Sequence, residues 1–159
     1  MALREVRIQG DPVLGKVCKA VEKMTPRIHM LIEDMFDTMY ETGGVGLAAP
    51  QVGILKRIVV IDTDGQPWVM INPKITETSG EQTGEEGCLS LPGKSGLVTR
   101  PEFVTVEALD ENMEPFTLKA DGLLARAICH ECDHLDGILY TEHVIGEVHD
   151  VQYDEEDEY

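Results

Sequence analysis

His130-Glu131-Cys132-Asp133-His134 is the segment whose residue types and spacing could do chemistry. Histidines four apart on an α-helix face the same way and can grip one divalent ion. At about 100° per residue, Glu131 falls beside the histidine stripe, placed to take a proton from water at such an ion without ligating it. A pattern this short also arises by chance, with each histidine an ordinary surface or core residue, so it carries meaning only on a helix. The surroundings supply one. Asp121 stands as a cap, Leu123, Leu124, Ala127, Ile128 and Leu135 recur along the segment, and Gly137 offers a stop after Asp136.

Two histidines do not complete a catalytic metal site, which takes three protein ligands and leaves one position open for water. A metzincin protease places its third histidine six residues beyond the second, where this chain has Tyr140. A thermolysin-like enzyme draws a glutamate from a later helix, and little follows the motif here except the short stretch to Val148 and the acidic tail. The third ligand is therefore sought upstream. Cys88, in Glu86-Gly87-Cys88-Leu89-Ser90-Leu91-Pro92-Gly93, stands in a glycine-bounded loop or strand end suited to presenting a thiolate, and Cys18 is the weaker choice. Cys129 and Cys132 have the spacing of a redox or zinc pair, but on this helix they point about 150° from the histidine stripe. Core packing is their reading.

A third segment, Gly44-Val45-Gly46-Leu47-Ala48-Ala49-Pro50-Gln51-Val52-Gly53, is dense in small residues that let another backbone come close, and Gln51 is its one polar side chain. Alone it would be a tight turn with an exposed glutamine.

The elements that must position these segments follow from periodicity and breakers. Thr25-Pro26 offers a cap and a first-turn proline, and Ile28, Leu31, Ile32, Met35, Phe36 and Met39 recur with helical period until Gly43-Gly44. From Arg57 to about Arg100 the character is β: Ile58-Val59-Val60-Ile61 and Val69-Met70-Ile71 read as short strands, divided by Gly65, Pro67, Asn72-Pro73 and Gly80. The stretch from Phe103 to Leu109 and that from Phe116 to Ala120 flank a turn-like segment, as a hairpin would. The order predicts an α+β fold, mainly antiparallel sheets packed around a C-terminal metal-binding helix, with a long N-terminal helix.

At 159 residues the chain suits one domain, assigned to residues 1–148, with an acidic and disordered tail over 149–159 that serves solubility. Thirteen basic against thirty acidic residues leave a formal charge of −17, which disfavours direct nucleic-acid binding. No run reaches membrane-spanning length, the opening residues lack a secretory layout, and four cysteines are too few for a disulfide scaffold. A cytoplasmic protein is inferred. Arg126, one turn before His130, is expected to turn outward and pair with nearby acids, and His29, His143 and His149 are read as surface residues.

Taken together, Gly44-Val45-Gly46-Leu47-Ala48-Ala49-Pro50-Gln51, Glu86-Gly87-Cys88-Leu89-Ser90 and His130-Glu131-Cys132-Asp133-His134 resemble the three signature motifs of peptide deformylases, in the family's order. Gly10-Asp11-Pro12-Val13-Leu14 is similar to the family's opening segment, so the resemblance spans about residues 3 to 145. It implies removal of the formyl group from the starting methionine of nascent proteins. It also implies Cys88, His130 and His134 as ligands and Glu131 as the acid/base, with Gln51 and the Leu89 backbone N–H stabilising the formyl oxygen. Gly46 is implied in holding the substrate backbone, and Val45, Leu123 and Ala127, with part of His130, are expected as the walls of the apolar methionine pocket that the resemblance implies. The metal it implies is one divalent ion, ferrous iron natively, replaceable by zinc, nickel or cobalt. Some members dock on the ribosome through a basic C-terminal helix. Here that region reads Asp154-Glu155-Glu156-Asp157-Glu158, which puts that mode of docking in question. An endopeptidase and a non-catalytic metal-stabilised peptide-binding module are the alternatives, and the second has no use for Glu131 or Gln51.

Overall fold

The structure is a computed structural model and describes residues 2–151. The first helix, α1, is Pro26–Glu41, with the Thr25 hydroxyl accepting from the Ile28 N–H at 3.2 Å. It is the long helix read from the sequence, but not the beginning of the chain. The described residues ahead of it are largely irregular, with a turn at Gln9-Gly10 and a 3-10 turn at Pro12–Gly15, where Asp11 accepts from the Val13 N–H.

Eight strands follow. They are β1 Gly46–Ala48, β2 Ile58–Ile61, β3 Trp68–Ser79, β4 Gln82–Cys88, β5 Leu91–Arg100, β6 Phe103–Leu109, β7 Pro115–Asp121 and β8 Val144–Asp150, with helix α2, Gly122–Leu135, between the last two. One sheet has the order β1-β2-β3-β6-β7 and a second the order β4-β5-β8, with every pairing antiparallel. The continuous apolar run of β2 is explained by burial on both faces. Ile58 and Val60 pack with Ile32 and Met39 of α1, while Val59 and Ile61 pack with Ala127, Ile128 and Leu135 of α2. Each helix thus covers one face of the five-stranded sheet, and α2 delivers its histidines beside β1.

Two sequence expectations need correction here. Asn72-Pro73 does not end a strand, because β3 continues through it with a register shift between Ile71 and Lys74. Asn72 takes a positive φ of 52°, and its amide exchanges two 2.8 Å hydrogen bonds with the Val21 backbone, so the breaker residues form a bulge tied to the N-terminal segment. The tail boundary also moves. His149 and Asp150 pair with Ser95 and Lys94 as the end of β8, and residues 152–159, with the acidic run, lie outside the described residues.

Asp121 sits at the cap position of α2, though its side chain makes no cap hydrogen bond. Gly137 closes the helix at φ +77°, and a Cβ there would lie 2.6 Å from the backbone of Gly15. Both the left-handed backbone and the contact oppose any side chain. Gly137→Ala is therefore expected to cost about 2 kcal/mol of stability, read from the urea midpoint.

Candidate metal centre and pocket

Three segments far apart in sequence meet at one end of α2. Cys88 is the last residue of β4, and its Sγ lies 3.3 Å from His134 Nε2, which in turn lies 3.3 Å from His130 Nε2. The three donor atoms are all within 4.8 Å of one another. Ligands at about 2.0–2.3 Å from a tetrahedral ion stand roughly 3.4–3.6 Å apart, so the set fits one divalent ion of the zinc or iron type. On α2 Cys129 is buried in the core and Cys132 packs against it, as the helical angle requires, and Cys18 of the N-terminal segment is buried in the same core.

The electrostatics favour positive charge between these groups. Burial would drive His130 neutral, yet hydrogen bonds with Cys88 and Glu86 outweigh it, and its pKa is pushed up to about 10. Burial, helped by the charge on His130, pushes His134 down to about 3, leaving a neutral imidazole ready to ligate.

Glu131 is buried, and burial raises its carboxyl to about 7. Among the described residues its Oε1 has no hydrogen-bond partner. Gln51 is also buried, not exposed: its Oε1 accepts from the Ala48 N–H at 2.9 Å, and its Nε2 reaches Ser90 Oγ at 3.1 Å and Cys88 Sγ at 3.5 Å. A pocket of about 480 Å³ opens over these groups. Val45, Gly46, Gln51, Leu89, Leu123, Ala127, His130 and Glu131 line it, so the predicted catalytic and substrate residues share one cavity, with Cys88 in its wall. Tyr140, at the position that separates this chain from a metzincin, stacks on the His130 ring with centroids 6.0 Å apart.

A family model for polypeptide deformylase matches residues 3–149. The chain belongs to the peptide deformylase family. It is 62% identical to the peptide deformylase of Lachnoclostridium phytofermentans, over 99% of both chains. It is 61% identical to that of Agathobacter rectalis, over 99% of this chain and 100% of the relative. The crystal structure of peptide deformylase from Thermotoga maritima superposes with a TM-score of 0.89 at 38% identity, covering 92% of this chain and all of that one (100%). The enzyme from Synechococcus elongatus in complex with actinonin gives 0.87 at 46%, covering 90% and 79%. Peptide deformylases are metalloenzymes, and Cys88, His130 and His134 form a cluster in this chain that could hold a metal ion. Among the described residues no helix is long and apolar enough to cross a membrane.

Sequence reasoning missed the outer partners of this deformylase site. Glu86 Oε1 lies 2.5 Å from His130 Nδ1, and the same carboxylate receives Arg100 and Arg126. Burial would raise the Glu86 carboxyl, but hydrogen bonds from His130 and Arg100 outweigh it and hold it at about 2, ionised throughout the working range. Period-two alternation on β4 puts Glu86 on the Cys88 face, a signal that could have found it. The outward reading of Arg126 is wrong. Its side chain is buried and donates to Glu86 at 2.8 Å, because an i,i+4 pair puts it on the His130 face. His29, His143 and His149 are exposed, pairing with Glu111, Asp133 and Glu85.

Gly46 has a steric reason for its lack of a side chain. A Cβ there would stand 2.6 Å from Glu131 Oε2, so Gly46→Ala must push the carboxylate aside. Displacement by about 1 Å at a reacting group can cost about 10²-fold. Turnover is expected to fall by about that factor with metal content unchanged, checked by activity and elemental analysis on one sample.

Proposed function

We infer that the chain is a metal-dependent hydrolase that removes the N-formyl group from the N-terminal methionine of newly made proteins and releases formate. The observation that carries this reading is the convergence of one thiol and two imidazoles beside a buried carboxylate, with Cys88, His130 and Glu131 lining a single pocket. Cys88, His130 and His134 would hold the ion. When bound, it supplies a Lewis acid and lowers the pKa of water so that a nucleophile exists near neutral pH.

The residues of the chain do the rest. Glu131 accepts the proton as water adds to the formyl carbon, and it returns a proton to the departing amine nitrogen as the C–N bond breaks. A carboxyl lifted by burial suits both halves of that exchange. Gln51 Nε2 and the Leu89 backbone N–H are assigned to the carbonyl oxygen as it gains charge, a role in which one donor is worth about 3 kcal/mol. The 3.5 Å contact of Gln51 with sulfur is its weaker one and the one it can exchange for an oxygen.

The peptide is assigned an extended course along β1, an edge strand of its sheet, with the Gly46 backbone as a partner. The methionine side chain lies among Val45, Leu123, Ala127 and His130. Main-chain pairing reads backbone and not side chains, so many sequences are accepted after methionine. The native ion is taken as ferrous iron, with zinc, nickel or cobalt as replacements, since one thiolate and two imidazoles suit all of them. The catalytic unit is assigned to the chain as far as the end of β8 at Asp150, the acidic end beyond it to solubility, the site of action to the cytoplasm, and the ribosome is a candidate partner.

The test is formate release from formyl-Met-Ala-Ser by iron-loaded protein under argon, beside the same protein with zinc. Formate from the iron form is expected. Full iron or nickel occupancy without formate defeats the assignment, and binding of the peptide without conversion would support the non-catalytic alternative.

A further inference from the structure

Helix α2 meets the carboxylate of Glu86 twice. His130 Nδ1 lies 2.5 Å from Oε1, and one turn earlier Arg126 Nη1 donates to Oε2 at 2.8 Å. Arg100 of β5 fills the remaining places, Nη2 on Oε1 at 2.7 Å and Nε on Oε2 at 3.2 Å. A carboxylate accepts at about four lone-pair sites, so Arg126 completes the set. The same guanidinium donates to the Val98 carbonyl at 3.1 Å and to the Gln82 carbonyl at 3.3 Å. Gly84 leaves room for it, since a Cβ there would stand 3.5 Å from Arg126 Nη2.

Two grips on one carboxylate, a helical turn apart, constrain what one grip cannot. Besides His130, α2 is tied to the β4–β5 hairpin at its start, where Gln82 Nε2 donates to the Gly122 carbonyl at 2.7 Å, and near its end, where Arg100 Nη1 donates to Asp133 at 2.8 Å. Arg126, on Glu86 and bonded to both strands of the β4–β5 hairpin, fastens the turn directly before His130, between those two ties, and so fixes the rotation of the ligand-bearing turns against β4. That join decides the metal geometry: β4 carries Cys88 two residues past Glu86, and α2 carries His134 one turn past His130. A guanidinium is costly to bury unless its donors are paired, and an apolar side chain would fill the space at less cost.

We propose that Arg126 is a positioning residue for the metal centre, holding helix α2 in register with strand β4 so that Cys88, His130 and His134 meet at ligand distance. The proposal rests on the reading of those three residues as ligands. It does not need turnover.

Cobalt(II)-loaded protein tests it, because the thiolate-to-cobalt absorption band reports the ligand set directly and its decay under excess chelator gives a release rate. Arg126→Met is expected to release cobalt about tenfold faster than wild type, the lower end of what losing a partner outside the ligands costs. Arg126→Lys keeps a cation within reach of Glu86 but cannot span three acceptors, and it should fall between the two. Should Arg126→Met not fold, the lysine variant against wild type carries the test. Ile32→Val, in the core under α1 on the other face of the large sheet, is the stability control and should lower the melting midpoint without changing release. Wild-type release rates in the Arg126 variants would overturn the proposal, and so would equal acceleration in Ile32→Val. Cobalt-loaded wild type that yields no formate would count against the assigned reaction alone.

Discussion

Glu131→Gln is expected to keep its metal and lose about 10³-fold in kcat. The substitution preserves shape and removes only the ability to take up and return a proton. Glu131 is not among the three clustered donors, so metal content should be that of wild type. Its carboxyl is already raised by burial, so replacing it with a neutral amide should not harm folding. Elemental analysis and formate release on the same preparation decide the matter. A variant that emerges without metal would move Glu131 into the ligand set, and one with near-normal turnover would remove it from proton transfer.

Cys88→Ala is expected to lose most of the bound metal and all activity above background. It deletes one of three donors, a larger defect than the roughly 10–100-fold loss of affinity that follows from removing a partner outside the ligands. Cys132→Ala, a thiol on the opposite side of the same helix, should retain both metal and turnover. If the two variants behave alike, the sulfur ligand has been misassigned.

The parts of this molecule that repeat with a period were legible before any coordinates. The apolar stripe of α1, the hairpin from Phe103 to Asp121 and the stripe that sets His130 beside His134 follow from spacing alone. Residues whose role depends on what lies across from them were less legible. Asn72-Pro73 reads as a break until Val21 is seen taking both hydrogen bonds of the asparagine amide. Arg126 reads as a solvated helix residue because a buried guanidinium is normally too costly. Glu86, forty residues away on β4, reverses that balance, and a one-dimensional pattern does not hold such a partner. The ligand trio itself came from combining the chemistry of the donor types with three motifs that no single periodicity joins.

The two sheets share no strand, and the proposed ligands come from both sides of that division: Cys88 from the three-stranded sheet, His130 and His134 from the helix packed on the five-stranded one. An ion held by all three is a cross-link between two halves of the domain, formed without a disulfide. Because it binds the native chain and not the dispersed one, each tenfold rise in its free concentration above the dissociation constant adds about 1.4 kcal/mol to the folded state. Scarcity of that ion would then reach the enzyme first as loosened architecture and a shorter lifetime, and only afterwards as slow chemistry.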